Sequence, residues 1–204
     1  MAEKSATQLQ IETQAQIEAM VGNSVYAQER TVIAVDGRCG AGKTTLALSL
    51  AERFECNVFH LDDFYLSERQ RAGKGKNKGF ANADLVRFEN EVLRNLVLGK
   101  PFSYFKYLPE SGTTEQVRVD MPTQLSIVEG SFCTDASLRE YYTLKFFLTA
   151  ELDIRAERLR ERGEDVDDYK NKWIPLEENF FKAQGIEENA DAVWDTSALS
   201  VESK

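Results

Sequence analysis

The strongest chemical signal in this chain is one continuous stretch, Gly37-Arg38-Cys39-Gly40-Ala41-Gly42-Lys43-Thr44. It satisfies GxxxxGK[ST] throughout. Glycines let a backbone wrap around a phosphate with its N–H groups turned inward, and a helix that follows offers its positive end to the anion. Lys43 brings a point charge for β and γ phosphates, and the Thr44 hydroxyl suits Mg²⁺. The stretch therefore predicts a site for the triphosphate of ATP with magnesium, lined by Gly37, Arg38, Cys39, Gly40, Ala41, Gly42, Lys43 and Thr44. Thr45 adjoins the cradle and is counted with it, although a plain helix position suits it better. Cys39 fills a variable position, where an incidental small residue is a simpler reading than a redox group.

A phosphate loop needs a strand before it and a helix after it. Thr31-Val-Ile-Ala-Val-Asp36 is short, apolar and β-branched, and reads as a buried strand. Lys43 to Phe54 reads as the helix. A second strand, Asn57 to Leu61, ends in two carboxylates, and Leu125 to Val128 and Leu144 to Thr149 read as further buried strands. Helices are expected over 5–21 with Ser5 as cap, over 84–98, over 151–162, and over 165–182 with a break at Pro175. Residues 102–107 and 114–121 suggest a hairpin, and Ala192-Val-Trp194 a last strand. Strands alternating with helices imply a parallel α/β sheet.

The chain of 204 residues suits about one domain, and its 42% hydrophobic and 29% charged residues are ordinary for a soluble protein. The expectation is a single domain over 1–204, with an N-terminal helix in 1–22, a basic loop in 66–83 and a lid with its following helix in 151–182. A net charge of −9 argues against a nucleic-acid or membrane partner. No apolar run is long enough to cross a bilayer, and no secretory signal opens the sequence. Three cysteines without a CxxC pair point to a reducing cytoplasm, and a single histidine, His60, with no clustered ligand set argues against zinc. The helix over 5–21 could pair two copies as a homodimer, or simply cover the sheet.

GTPase motifs are missing: there is no DxxG switch, and Asn171-Lys172 has Ile174 where NKxD needs an aspartate. Val58-Phe-His-Leu-Asp62-Asp63-Phe64-Tyr65 instead resembles the strand-and-loop motif of the uridine kinase family, shared in outline by phosphoribulokinase and pantothenate kinase. Ile127-Val-Glu129-Gly130 resembles that family's second acidic strand end. Asp153-Ile-Arg155 and the arginines after it resemble its lid, and Trp173 to Phe180 the segment beyond. The match runs in order from about Thr31 to Trp194. It implies the P-loop nucleoside-triphosphate hydrolase fold, a parallel sheet flanked by helices, with a small lid and a hairpin insertion. It also implies transfer of the γ-phosphoryl group of ATP to a hydroxyl on a small molecule.

By that resemblance Asp62 is the base that takes the hydroxyl proton, while turn capping suits Asp63 better. Phe64 and Tyr65 could wall the acceptor pocket, Tyr104 could match a family tyrosine, and Asp84 could touch the acceptor or cap its own helix. Glu129 could hold Mg²⁺ through water, or accept from backbone N–H groups. Arg155, Arg158 and Arg162 share a helix face that could close on ATP, with Arg158 as the catalytic cation; i,i+4 pairing with Glu151 on a solvated helix explains Arg155 equally well. The family reads its pyrimidine with histidines and a tyrosine–aspartate pair. Here no histidine lies near Asp84, and Phe105 follows Tyr104 where the aspartate belongs. A pocket without those partners loses selectivity, so the acceptor stays at the level of a small hydroxyl compound. Arg69, Arg71, Lys74, Lys76 and Lys78 could favour an anionic acceptor, or belong to an ordinary solvated loop. The rival function is an ATP-binding regulatory module without turnover.

Overall fold

The computed structural model describes residues 6–66 and 83–198, with side chains from residue 12 onward. The five cations of the basic stretch and the Ser5 cap lie outside the described residues.

Strand β1 (Thr31–Gly37) is buried along its whole length. That fits a central parallel strand covered on both faces, which can carry an unbroken apolar run. Its side chains alternate between two cores. Val32 and Ala34 join Phe59, Phe88, Val92, Leu96, Phe147 and Phe180 on one face. Ile33 and Val35 join Ile17, Val21, Leu46, Leu50, Ile127 and Phe146 on the other. Each large side chain so buried contributes about 1.5–3 kcal/mol.

The main sheet adds β2 (Asn57–His60), β5 (Leu125–Glu129), β6 (Leu144–Thr149) and β7 (Ala192–Asp195), in the order β2-β5-β1-β6-β7. All pairs are parallel. Helix α1 (Ala6–Ala27) sets Ile17 and Val21 against the sheet beside α2 (Lys43–Phe54), so these two residues cover the core. The opposite face is covered by Phe88, Val92, Leu93 and Leu96 from the helix over 85–98 and by Phe180 and Phe181 from the helix over 166–184. Helix α3 (85–98) runs as Leu85–Phe88, a wide π turn Glu89–Leu93, and Arg94–Leu98, and stops at Gly99. Strands β3 (Phe102–Leu108) and β4 (Thr113–Val119) form a separate antiparallel hairpin.

After α4 (Leu152–Glu161) comes α5 (166–184), and here an expectation is corrected. Pro175 does not break the helix. A π turn, Tyr169–Trp173, precedes it, with the Ile174 N–H bonded to the Tyr169 carbonyl. Proline lacks an N–H and crowds the carbonyl four residues back, and a widened turn accommodates both without ending the helix. No helix among the described residues is long and apolar enough to cross a membrane.

Candidate functional site: a phosphate loop beside two carboxylate-bearing strand ends

Three adjacent strands, β2, β5 and β1, end on the same side of the sheet. They deliver Asp62, Glu129 and the Gly37–Thr44 loop to one place, the carboxyl edge where open α/β sheets bind ligands. The loop leaves β1 pressed against β6. Arg38 N–H still donates to the Leu148 carbonyl at 2.9 Å. Gly37 has φ +137°, and a Cβ there would lie 2.1 Å from the Leu148 oxygen. Only glycine passes so close. At the other end Gly42, with φ +90°, enters α2 without a side-chain cap, leaving the helix amides for an anion. Lys43 Nζ folds over the loop and donates to the carbonyls of Gly37 (2.8 Å) and Arg38 (3.2 Å).

The loop is braced from behind. Asp36 is fully buried and accepts from the N–H groups of Gly37 (2.7 Å), Phe132 (3.0 Å) and Thr134 (2.9 Å), and from the Thr134 hydroxyl. Burial raises its pKa, opposed by those hydrogen bonds. Arg155 and Arg158 also stand behind the loop. Arg155 donates to the Ala150 carbonyl (3.0 Å) and reaches the Cys39 carbonyl (3.5 Å). Arg158 donates to the Gly40 carbonyl (3.2 Å) and to Thr196 (3.1 and 2.7 Å). Both are buried on α4 with their guanidinium groups on backbone carbonyls and Thr196, which corrects both the expectation of a face closing on ATP with Arg158 as catalytic cation and its alternative of a solvated face: they support the cradle from its main-chain side. Arg162 alone of the three is exposed, at the last turn. The Arg38 side chain turns away to Glu178 (2.6 Å) and Glu187 (3.2 Å), leaving its backbone in the loop. Burial first, then Glu177, pushes the Cys39 thiol up to about 12, which makes it a poor nucleophile.

Thr44 Oγ1 donates to Glu129 Oε2 at 3.2 Å, and the other Glu129 oxygen meets His60 Nδ1 at 2.5 Å. The Glu129 contact raises the His60 pKa, against burial. A hydroxyl and a carboxylate side by side are the hard oxygen donors Mg²⁺ prefers. Among the described residues no cluster of three or more His, Cys, Asp or Glu side chains could hold a metal alone.

At the end of β2, Asp62 is exposed within a short 3-10 turn, Leu61–Phe64. Protein crowding the carboxyl raises its pKa, and the Glu129 charge adds to this; a hydrogen bond from Tyr65 and the Lys43 charge oppose it. A carboxylate so raised is a stronger base than an ordinary aspartate. Asp63 points the other way and is buried, paired with Lys106 Nζ at 3.0 Å and with the Tyr104 hydroxyl at 3.4 Å. It ties the hairpin to the turn, which corrects the turn-cap expectation. Phe64 is fully buried, stacked on Tyr104 and edge-on to Phe88, so it is core and not a pocket wall. Tyr104 is buried in the same stack. Asp84 caps α3, accepting from the Arg87 N–H at 3.2 Å. Thr45 is exposed on the first turn of α2.

Comparison with known proteins places this geometry. No family model matches the chain. The uridine kinase of Bacillus licheniformis is 28% identical over 161 residues, covering 71% of this chain and 75% of that one. The uridine kinase of Staphylococcus aureus is 25% identical over 171 residues, 74% of this chain and 82% of its own. Among solved structures, one described as a possible uridine kinase from Bacillus stearothermophilus superposes with a TM-score of 0.70 at 18% identity, over 91% of this chain and all of that one. D-glycerate 3-kinase from Cryptococcus neoformans gives 0.65 at 14% identity, over 91% and 96%. The chain is uridine kinase-like. It is a homologue of small-molecule kinases with their α/β P-loop fold.

Several residues of this uridine kinase-like site were not singled out from the sequence. Lys106 carries a readable signal, since it lies two residues after Tyr104 and so shares its face of β3. Glu177 carries none: it accepts from the Cys39 N–H at 3.0 Å across 138 residues of chain, and from the Ser131 hydroxyl at 2.8 Å. Tyr169, on the π turn, is pushed up to about 12 by burial, with the charges of Glu164, Cys39, Glu177 and Asp62 adding to it.

Proposed function

We propose that this chain transfers the γ-phosphoryl group of ATP, with Mg²⁺, to a hydroxyl of a small metabolite. The observation that carries this reading is the placement of Asp62 and the Gly37–Thr44 loop at the ends of β2 and β1, which flank β5, with the Thr44–Glu129 pair between them. The loop amides and Lys43 would hold the phosphates. Thr44 and Glu129 would hold Mg²⁺, which supplies charge neutralisation when bound. Asp62 would take the acceptor proton as the acceptor oxygen bonds to the γ-phosphorus and the bond to the β-phosphate oxygen breaks, releasing ADP. Its raised pKa supports that role. Tyr65, hydrogen-bonded to Asp62, would orient the carboxylate.

The relatives' names span a nucleoside and a hydroxy acid, which share a hydroxyl and little else. The acceptor is proposed at that level, a hydroxyl-bearing small molecule. Three free cysteines suit a reducing, cytoplasmic setting.

The test is an acceptor screen with purified protein, ATP and Mg²⁺, read by product mass, over nucleosides, pantothenate, glycerate and sugar phosphates. A phosphorylated product that disappears in Lys43→Ala is expected. Tight ATP binding with no product from any hydroxyl compound would favour a binding module instead.

A further inference from the structure

The P-loop is a device for holding anions on backbone N–H groups. One of those groups is already taken by an anion from the protein itself. Glu177, on α5, is 5% exposed and places Oε2 3.0 Å from the Cys39 nitrogen. Its other oxygen accepts from the Ser131 hydroxyl at 2.8 Å, just beyond the end of β5. The contact is fixed on both sides. The neighbouring Glu178 is bidentate to Arg38, which also reaches Glu187, so α5 is tied to two consecutive P-loop residues. On the opposite side Arg155 and Arg158 hold the carbonyls of Cys39 and Gly40. The Cys39 amide is therefore held in place and aimed at a carboxylate.

Cys39 lies on the limb of the loop away from α2. The amides at the helix end, Gly42 to Thr44, are the ones suited to the inner phosphates. Glu177 also reaches Ser131, whose neighbour Gly130 borders Asp62: a Cβ there would lie 3.6 Å from Asp62 Oδ1, so the carboxylate stands on the Asp62 side of the loop. If Asp62 serves the transferring group, the terminal phosphate faces this limb.

We propose that Glu177 is an internal anion that competes with the terminal phosphate of bound ATP for the Cys39 amide, and so sets how strongly the site prefers triphosphate to diphosphate. The inference rests on the nucleotide-site reading above. Two negative groups cannot share one N–H, and their repulsion at close range is large in a partly buried site. Seating the terminal phosphate requires the carboxylate to give up that bond, while the inner phosphates feel it less. Glu177 is thus a specificity residue of the cradle and need not touch the acceptor.

Calorimetric titration of ATP, ADP and adenosine into the wild type, Glu177→Gln, Glu177→Ala and Lys43→Ala tests this. Glutamine keeps the size and an acceptor oxygen but removes the charge. The expected result is ATP binding tightened about tenfold in Glu177→Gln, ADP by clearly less, and adenosine unchanged. Glu177→Ala should tighten ATP as well; if it fails to fold, the glutamine variant alone decides. A purely structural brace predicts the reverse, with weaker ATP binding in Glu177→Ala and no gain in Glu177→Gln, and that result overturns the proposal. An equal gain for ATP and ADP overturns it too, since the carboxylate would then lie away from the terminal phosphate. Loss of binding in Lys43→Ala separately upholds the nucleotide site. If neither wild type nor Glu177→Gln binds ATP, that reading fails and the inference falls with it.

Discussion

The phosphate loop and the Asp62–Asp63 turn sit at the ends of β1 and β2, on either side of β5, and are held by different means. The loop is fixed through its main chain: Asp36 takes the Gly37 amide, Leu148 the Arg38 amide, Glu177 the Cys39 amide, and two buried arginines the carbonyls of Cys39 and Gly40. The turn is fixed through side chains, chiefly Asp63 with Lys106 and Tyr104, and a stack of Phe64, Phe88 and Tyr104. The loop's bracing depends on groups far apart in sequence that meet one short backbone segment, while the turn's bracing consists of side-chain pairs that can be exchanged one at a time.

Substitutions at each end should separate the two modes. The largest structural effect is expected at Gly37→Ala, where the new Cβ would meet the Leu148 carbonyl. Strain at a positive φ together with overpacking should cost about 3 kcal/mol or more, read by urea denaturation. A loss below about 0.5 kcal/mol would show that the loop is less tightly bound to β6 than these contacts state.

Lys106→Met should cost less, about 1–3 kcal/mol. It leaves the buried Asp63 carboxylate without its cation, although the half-exposed lysine limits the loss. ATP affinity should stay unchanged while the hairpin loosens. Equal losses at both ends would mean that the two regions are not separable. Asp84→Ala should do least, about 1 kcal/mol for a lost N-cap, with the acceptor KM unaltered. A raised KM with unchanged stability would restore Asp84 to the acceptor site.

The same contrast explains what could be read from the sequence. The phosphate loop, its strand and its helix form one continuous segment, and β1 and α2 fall where periodicity placed them. Parallel strands announce themselves as apolar runs. The supports of the site do not. Glu177 lies 138 residues from the amide it holds, and nothing local marks it. Arg155 and Arg158 look like surface helix charges until the fold turns their face towards the loop. Phe64 and Asp84 sit in the right segment for acceptor contact, but aromatic residues usually serve the core and an aspartate before a helix usually serves as its cap.

The most direct test of the account is Asp62→Asn, with ATP affinity and phosphoryl transfer measured in the same preparation across pH. The account predicts ATP affinity within about twofold of wild type and transfer reduced about 10²–10⁴-fold. In the wild type, transfer should rise with pH as Asp62 loses its proton, at a higher pH than for an ordinary aspartate because crowding and Glu129 raise its pKa. That rising limb should vanish in the variant. Transfer at the wild-type rate, or an unchanged limb, would remove Asp62 from the chemistry and contradict the central claim.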